Sequence, residues 1–172
     1  MHRKPLLDLL ARYRASHPDE AACADRIRAL VETQRDCFER SCFPGHVTAS
    51  AWLLSPDGRR FLLTHHRKLD QWLQPGGHAD GDTDLPRVAL REAREETGLD
   101  VRLEALLGCY SKPDRDPRGH TVSIIFVAVA SGDPVAGDDA REVGVFDPAK
   151  TPPLAFDHQQ VLADFIRWRE RR

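Results

Sequence analysis

The sequence predicts an α/β domain built on a mixed central sheet, preceded by helices. Three observations carry that prediction. Apolar residues recur at every second position at Val47, Ala49, Ala51 and Leu53, and again from Val101 to Cys109, as half-buried strands require. Thr121 to Ala130 is a nearly continuous apolar run with β-branched residues, the pattern of a strand covered on both faces. A strong helical segment at about 84–97 sits among these strands and another follows at about 157–168, so the elements fall into layers.

Residues 1–43 read as a helical extension, and 44–172 as the domain it packs on. Leu6, Leu7, Leu9 and Leu10 behind a basic N-terminus have the outline of a signal peptide, but Asp8, Arg12 and Arg14 break the apolar stretch, so a helix start is expected. His17-Pro18-Asp19-Glu20 marks a second start, with proline and acids in the first turn. Ile27, Leu30, Gln34, Cys37 and Phe38 then follow at helical spacing until Pro44-Gly45 ends the region. That apolar stripe has to be buried, either against the flank of the sheet or in a contact between two copies of the chain. The expectation adopted is a homodimer.

From His46 the period is two. A strand runs through Leu53, Ser55-Pro-Asp-Gly58 turns, and Phe61 to Thr64 returns. Thr83 or Asp84 caps the next helix, Pro86 helps to start it, and Gly98 ends it in a left-handed conformation. After the strands at 101–109 and 121–130 comes a short one at Gly144–Phe146. Asp157 is expected to cap a last helix whose Val161, Leu162, Phe165 and Trp168 face inward.

Composition removes several functions. With 172 residues and 41% apolar residues, the chain fits one domain with an appendage and can bury a core. A net charge of −2 lacks the basic surplus of a duplex-binding protein, so no specific nucleic-acid partner is expected. No stretch reaches the roughly 18 apolar residues of a membrane span, which predicts a cytoplasmic protein without a membrane partner. Cys23, Cys37, Cys42 and Cys109 show no paired spacing and read as free thiols.

The chemistry concentrates between Gly76 and Leu99. Glycines at 76, 77 and 81 let the backbone come close to a ligand. Glu92, Glu95 and Glu96 stand at i, i+3 and i+4, so one helix face carries three carboxylates in its last two turns. Like charges at that distance repel, and acids near a helix C-terminus oppose the macrodipole. An i, i+4 pair between Arg91 and Glu95 relieves part of this. A hard cation such as Mg²⁺, which takes oxygen ligands and shares its shell with phosphates, would relieve the rest.

This segment resembles the Nudix box, which reads Gly, five residues, Glu, seven residues, then Arg-Glu-hydrophobic-any-Glu-Glu-any-Gly-hydrophobic. Gly77, Arg91, Glu92, Ala93, Glu95, Glu96, Gly98 and Leu99 all match; Thr83 stands where the first Glu belongs. The resemblance implies an α/β/α sandwich and a divalent-metal-dependent hydrolase that cleaves the pyrophosphate bond of a nucleoside diphosphate derivative. It assigns Mg²⁺ or Mn²⁺ to Glu92, Glu95, Glu96 and the carbonyl of Gly76, and the orienting of the glutamates to Arg91. The first Glu of the box supports the loop, so the departure at Thr83 bears on loop geometry, with Asp82 or Asp84 as substitutes.

Family members usually add an acid from a later loop, and Gly137 to Glu142 is the natural source here. Asp139 and Glu142 are candidates for general base or outer metal ligand, against the plain reading of a polar turn. Arg115-Asp116-Pro117-Arg118-Gly119 and Leu154 to His158 are reminiscent of the ADP-ribose pyrophosphatase branch and its related regulators. Arg115 and Arg118 can meet phosphate or ribose oxygens, or can simply fix a turn. His66, in the charged loop at 65–68, can touch phosphate or remain solvated. Trp72 can stack on a base or lie in the core. A nucleotide-derived small molecule is therefore the expected partner. The competing class is a Nudix-fold regulator that senses ADP-ribose or a related metabolite without cleaving it, but such modules normally lose the acids that this chain retains.

Overall fold

The computed structural model describes residues 2–117, 119–137 and 139–172. Helices α1 (Lys4–Ser16) and α2 (Ala21–Thr33) come first, joined by a short 3₁₀ turn at Pro18–Glu20. Strands β1 (His46–Leu54), β2 (Phe61–His66), β3 (Gln71–Leu73) and β4 (Gly76–His78) lead to helix α3 (Leu85–Thr97). Strands β5 (Asp100–Tyr110), β6 (Thr121–Ser131) and β7 (Ala140–Phe146) precede helix α4 (His158–Glu170).

The sheet is mixed, as expected. β1 and β6 pair in parallel from His46↔Thr121 to Leu54↔Val129, and β5 runs antiparallel on the outer side of β6. On its other side β1 changes neighbours. Thr48, Ala49 and Ser50 pair with β4, whereas Leu53 and Leu54 pair with β2, which also carries β3 and β7. A cleft opens where these neighbours change.

Strand periodicity sorts the side chains into two layers. On one face Val47, Ala49, Val122 and Ile124 meet Leu10, Ile27 and Val31 from the extension and Val88 and Ala89 from α3. Farther along the same face, Leu53, Leu62 and Ala128 meet Ala93 and Leu99. On the opposite face Trp52, Phe61, Ile125 and Val127 pack against Val161, Leu162 and Phe165 of α4. The result is the α/β/α sandwich.

Four expectations are corrected in detail. The helix containing Ile27 stops at Thr33, because Gln34 turns to extended backbone; Cys37 and Phe38 reach the core from turns instead. Ile27, Leu30, Cys37 and Phe38 are all buried within the chain, so the stripe that suggested a homodimer contact is already covered. The loop after β2 contains two three-residue strands, too short and too rich in glycine to show a period. Asp157 stands at the N-terminus of α4 without capping it, since Arg115 takes its carboxylate. The four cysteines are free thiols, as expected. Among the described residues no helix is long and apolar enough to cross a membrane.

Because extension and sheet share one core, they should unfold together. Ile27→Ala should cost about 2–4 kcal/mol, the usual penalty for truncating a fully buried isoleucine. Denaturant unfolding followed by far-UV circular dichroism should show one transition, shifted to lower concentration. Two separate transitions, with only the first one moved, would refute the shared core.

Candidate active site

Local sequence builds the helix that carries the acids. The Asp84 side chain accepts from the amide of Arg87 at 3.2 Å, and Gly98 closes α3 at φ 68° with its amide on the carbonyl of Arg94. Asp82 accepts from the amide of Asp84 and grips the Arg87 guanidinium through both oxygens, at 2.8 and 2.9 Å. The loop around Thr83 is therefore held by its acidic neighbours, the substitutes expected from the sequence.

Glu92, Glu95 and Glu96 all line the cleft, in three different environments. Glu96 is the most enclosed. Its carboxylate accepts from the amide of Gly76 at 3.1 Å and from the Thr64 hydroxyl at 2.9 Å. Burial nevertheless pushes it up to about 7, helped by the charges of Glu92 and Asp139, against the pull of those two hydrogen bonds. Burial also raises Glu92, with Glu95 and Asp80 adding to the effect and Arg91 opposing it. Glu95 is exposed to solvent.

Arg91 donates to Glu92 at 2.7 Å and to the carbonyl of His78 at 3.1 Å, so it ties the acid to β4 rather than pairing with Glu95. Gly77 is needed for the same closeness. A Cβ there would stand 2.3 Å from a Glu92 oxygen, and one on Gly76 would stand 2.1 Å from the Cβ of Ser50.

The remaining expected residues divide. Asp139 lines the cleft, and the loop that bears it is pressed onto the end of α3 by the Gly137 amide on the Glu96 carbonyl at 3.0 Å. Glu142 lies on β7, paired opposite His65, and does not line the cleft. His66 lines it, its Nδ1 accepting from the amide of Lys68 at 3.2 Å. Trp72 does not. It packs edge-on between His65 and Phe146, with ring centroids 5.0 Å away in both cases. Arg115 lines the cleft but is buried and bound inside the protein. It holds Asp157 at 2.8 and 2.9 Å and the Ser123 hydroxyl at 2.5 Å. Arg118 lies outside the described residues.

Sequence reasoning missed the polar floor. Thr48 and Ser50 on β1, Ser123 on β6 and Gln74 before β4 line the cleft, and Thr48 and Ser123 share a hydrogen bond of 2.7 Å. Their signal was present: hydroxyl residues alternate with apolar ones on both strands. His158 was also missed. It is buried beside the cleft, its Nδ1 and the Oε1 of Gln74 having no hydrogen-bond partner among the described residues.

The donors fit a hard divalent cation in an open arrangement. Among the described residues no three His, Cys, Asp or Glu side chains close into a cage. The cleft instead offers partly buried carboxylate oxygens whose mutual repulsion is only partly offset, which suits an ion that keeps waters and shares phosphate oxygens.

Comparison with known proteins agrees with this architecture. The NUDIX domain model matches residues 44–168, and the chain belongs to the Nudix family. Over 96 residues it is 47% identical to an ADP-ribose pyrophosphatase of Methanocaldococcus jannaschii, covering 55% of this chain and 57% of that protein. Against a putative 8-oxo-dGTP diphosphatase of Bacillus subtilis it is 27% identical, over 56% of this chain and 63% of the other. The chain thus spans about three fifths of the length of these relatives. A MutT NUDIX hydrolase structure from Burkholderia pseudomallei superposes with a TM-score of 0.60 at 26% identity, covering 70% of this chain and 97% of that one. The NUDIX domain of Shewanella oneidensis NrtR, solved with ADP ribose, shares the fold at a TM-score of 0.61 and 21% identity, covering 81% and 96%.

His158 gives this region a pH signature. Burial holds its imidazole down to about 4, with the Arg115 charge adding and Asp157 opposing. An unfolded histidine takes its proton near 6.5. Between those values the unfolded state binds the extra proton, so stability falls as pH drops. From pH 7 to pH 5 the wild type should lose about 2 kcal/mol through this group. Denaturation of His158→Gln at both pH values should show that increment missing. An equal pH-dependent loss in both proteins would contradict the assignment.

Proposed function

We propose that the chain is a divalent-metal-dependent pyrophosphohydrolase acting on a nucleoside diphosphate derivative of the ADP-ribose type. The observation that carries this reading is the placing of Glu92, Glu95 and Glu96 on one wall of a cleft of about 500 Å³ whose floor is polar. The 47% identity to an ADP-ribose pyrophosphatase supports the substrate class.

Mg²⁺ or Mn²⁺ bound by these carboxylates, with the Gly76 carbonyl as a further donor, would neutralise the diphosphate and make hydroxide available from a bound water near neutral pH. The chain's own residues do the positioning. Thr64 and the Gly76 amide fix Glu96, and Arg91 fixes Glu92. Asp139, rather than Glu142, is the later acid placed to take a proton from the attacking water, because it faces the cleft and its charge is felt at Glu96. Lys68 and His66, at the rim, are placed for phosphate oxygens. The hydroxyls of Thr48 and Ser50 and the free acceptor of Gln74 suit the sugar and base, whose polar atoms would complete that buried set. Retention of all three acids favours hydrolysis over sensing alone.

With ADP-ribose and Mg²⁺ the wild type should release AMP and ribose 5-phosphate. Glu95→Gln, an exposed position that leaves the fold intact, should lower kcat by about 10²-fold or more. Chelation with EDTA should abolish turnover reversibly. Near wild-type turnover by Glu95→Gln at saturating Mg²⁺ would remove the metal assignment, and tight binding of ADP-ribose without cleavage would favour the sensor.

A further inference from the structure

The residues before 44, outside the match to the Nudix model, nevertheless end at the cleft. After α2 the chain turns under the sheet. The amide of Val47 donates to the carbonyl of Cys37 at 2.7 Å, and Phe38 is buried beside the strands. The next residues meet the loop between β4 and α3. There the amide of Gly81 donates to the carbonyl of Phe38 at 3.0 Å, and a Cβ on Gly81 would fall 2.7 Å from a Glu39 carboxylate oxygen. Arg40 follows and grips Asp80 with both arms of its guanidinium, at 2.9 and 2.6 Å. Arg40 and Asp80 line the cleft together with His78, Glu92 and Glu95.

The Arg40–Asp80 pair is a weak clamp in a place already clamped. The Arg40 side chain keeps 63% of its accessible surface and that of Asp80 42%, and ion pairs so exposed add little to stability. Backbone bonds from Phe38 and Cys37 already hold the loop and the strand. What the pair does supply is an oriented guanidinium lining a cleft whose proposed ligand carries phosphate. The fork that matches a carboxylate matches a phosphate equally well.

We infer that Arg40 is a substrate-binding residue delivered by the N-terminal extension: it exchanges Asp80 for oxygens of the diphosphate, so the extension forms one wall of the site. The ligand class rests on the pyrophosphatase reading above. Asp80 is then a placeholder that keeps Arg40 aimed into the cleft and competes with the ligand for it. The two partners of one ion pair must therefore differ in their effect on binding, loss of Arg40 weakening it and loss of Asp80 not. A clamp would make them act in the same direction.

The test is a calorimetric Kd for magnesium pyrophosphate, measured on the full chain and on Arg40→Ala, Arg40→Lys and Asp80→Asn, with kcat and KM for ADP-ribose alongside. Arg40→Ala should raise Kd and KM about five- to tenfold with kcat within about threefold, as loss of a partly solvated charge-assisted contact implies. Arg40→Lys should recover part of the loss, and Asp80→Asn should leave Kd unchanged or lower it. An unchanged Kd in Arg40→Ala overturns the inference. So does equal weakening by Arg40→Ala and Asp80→Asn with matching falls in Tm, which is the signature of a clamp, and so does a wild type that does not bind magnesium pyrophosphate. A wild type that binds it yet leaves ADP-ribose uncleaved fails the proposed substrate, while the calorimetric comparison still decides the role of Arg40.

Discussion

Three carboxylates crowd the last two turns of α3, at the end of a helix where the macrodipole already disfavours negative charge, and the neighbouring structure is shaped by holding them there. Gly77 gives up a side chain so that β4 can pass against Glu92. The Gly76 amide and the Thr64 hydroxyl restrain Glu96 and favour its charged form, but burial outweighs them and raises its carboxyl to about 7. Arg91 offsets Glu92 alone among the three by hydrogen bond. The loop at Gly137 is pressed so closely onto α3 that a Cβ there would stand 1.8 Å from the Glu95 carbonyl oxygen, and it brings Asp139 to the same rim. A surface seeking only stability would disperse this charge. Here it is concentrated, partly buried and left with open oxygen donors.

Beyond the acids, the cleft depends on Arg115, a buried arginine in its lining. Taking Arg115 out of water is costly unless all its donors are used. Asp157 takes two, and the hydroxyls of Ser123 and Thr121 take others. This arrangement ties the start of α4 to β6 and fixes the floor on which Ser123 and Thr48 meet. It also explains why Asp157 does not cap its own helix. The same guanidinium charge helps to keep the neighbouring His158 neutral.

What could be read from the sequence was what neighbouring residues determine among themselves. Asp84, Pro86 and Gly98 bound α3 by local backbone rules, and the spacing of Glu92, Glu95 and Glu96 places them on one face whatever surrounds the helix. Strands β1 and β5 showed a period of two because one face of each is the more buried, and β6 showed as an unbroken apolar run because it is covered on both faces. Most of the missed parts depend on pairings distant in sequence, while β3, in a local hairpin with β2, is only too short to show a period. β3 and β4 exist because β2 and β1 offer them edges, and no three residues containing Gly76 and Gly77 announce a strand. Trp72 offered no local sign of which face of the sheet it would join. Arg40 and Asp80 are 40 residues apart, and either alone is an ordinary surface charge.

The position that departs from the box connects these two kinds of information. Where the family pattern sets a glutamate to support the loop, this chain has Thr83, and the loop is anchored on both sides of it instead. Asp82 and Asp84 fasten it to the first turn of α3 through Arg87, a local device. Phe38 fastens it at Gly81, a residue at φ 82° that accommodates the approach of Glu39 because it has no side chain. The second anchor is available only because Phe38 is itself held in the core shared by the extension and the sheet. Support for the loop has thus moved partly outside the segment that the family pattern describes. None of these anchors consumes an oxygen of Glu92, Glu95 or Glu96. The loop can therefore be rigid while the acids keep their donors for the cleft, and the extension, by gripping that loop, has the site's geometry in its keeping.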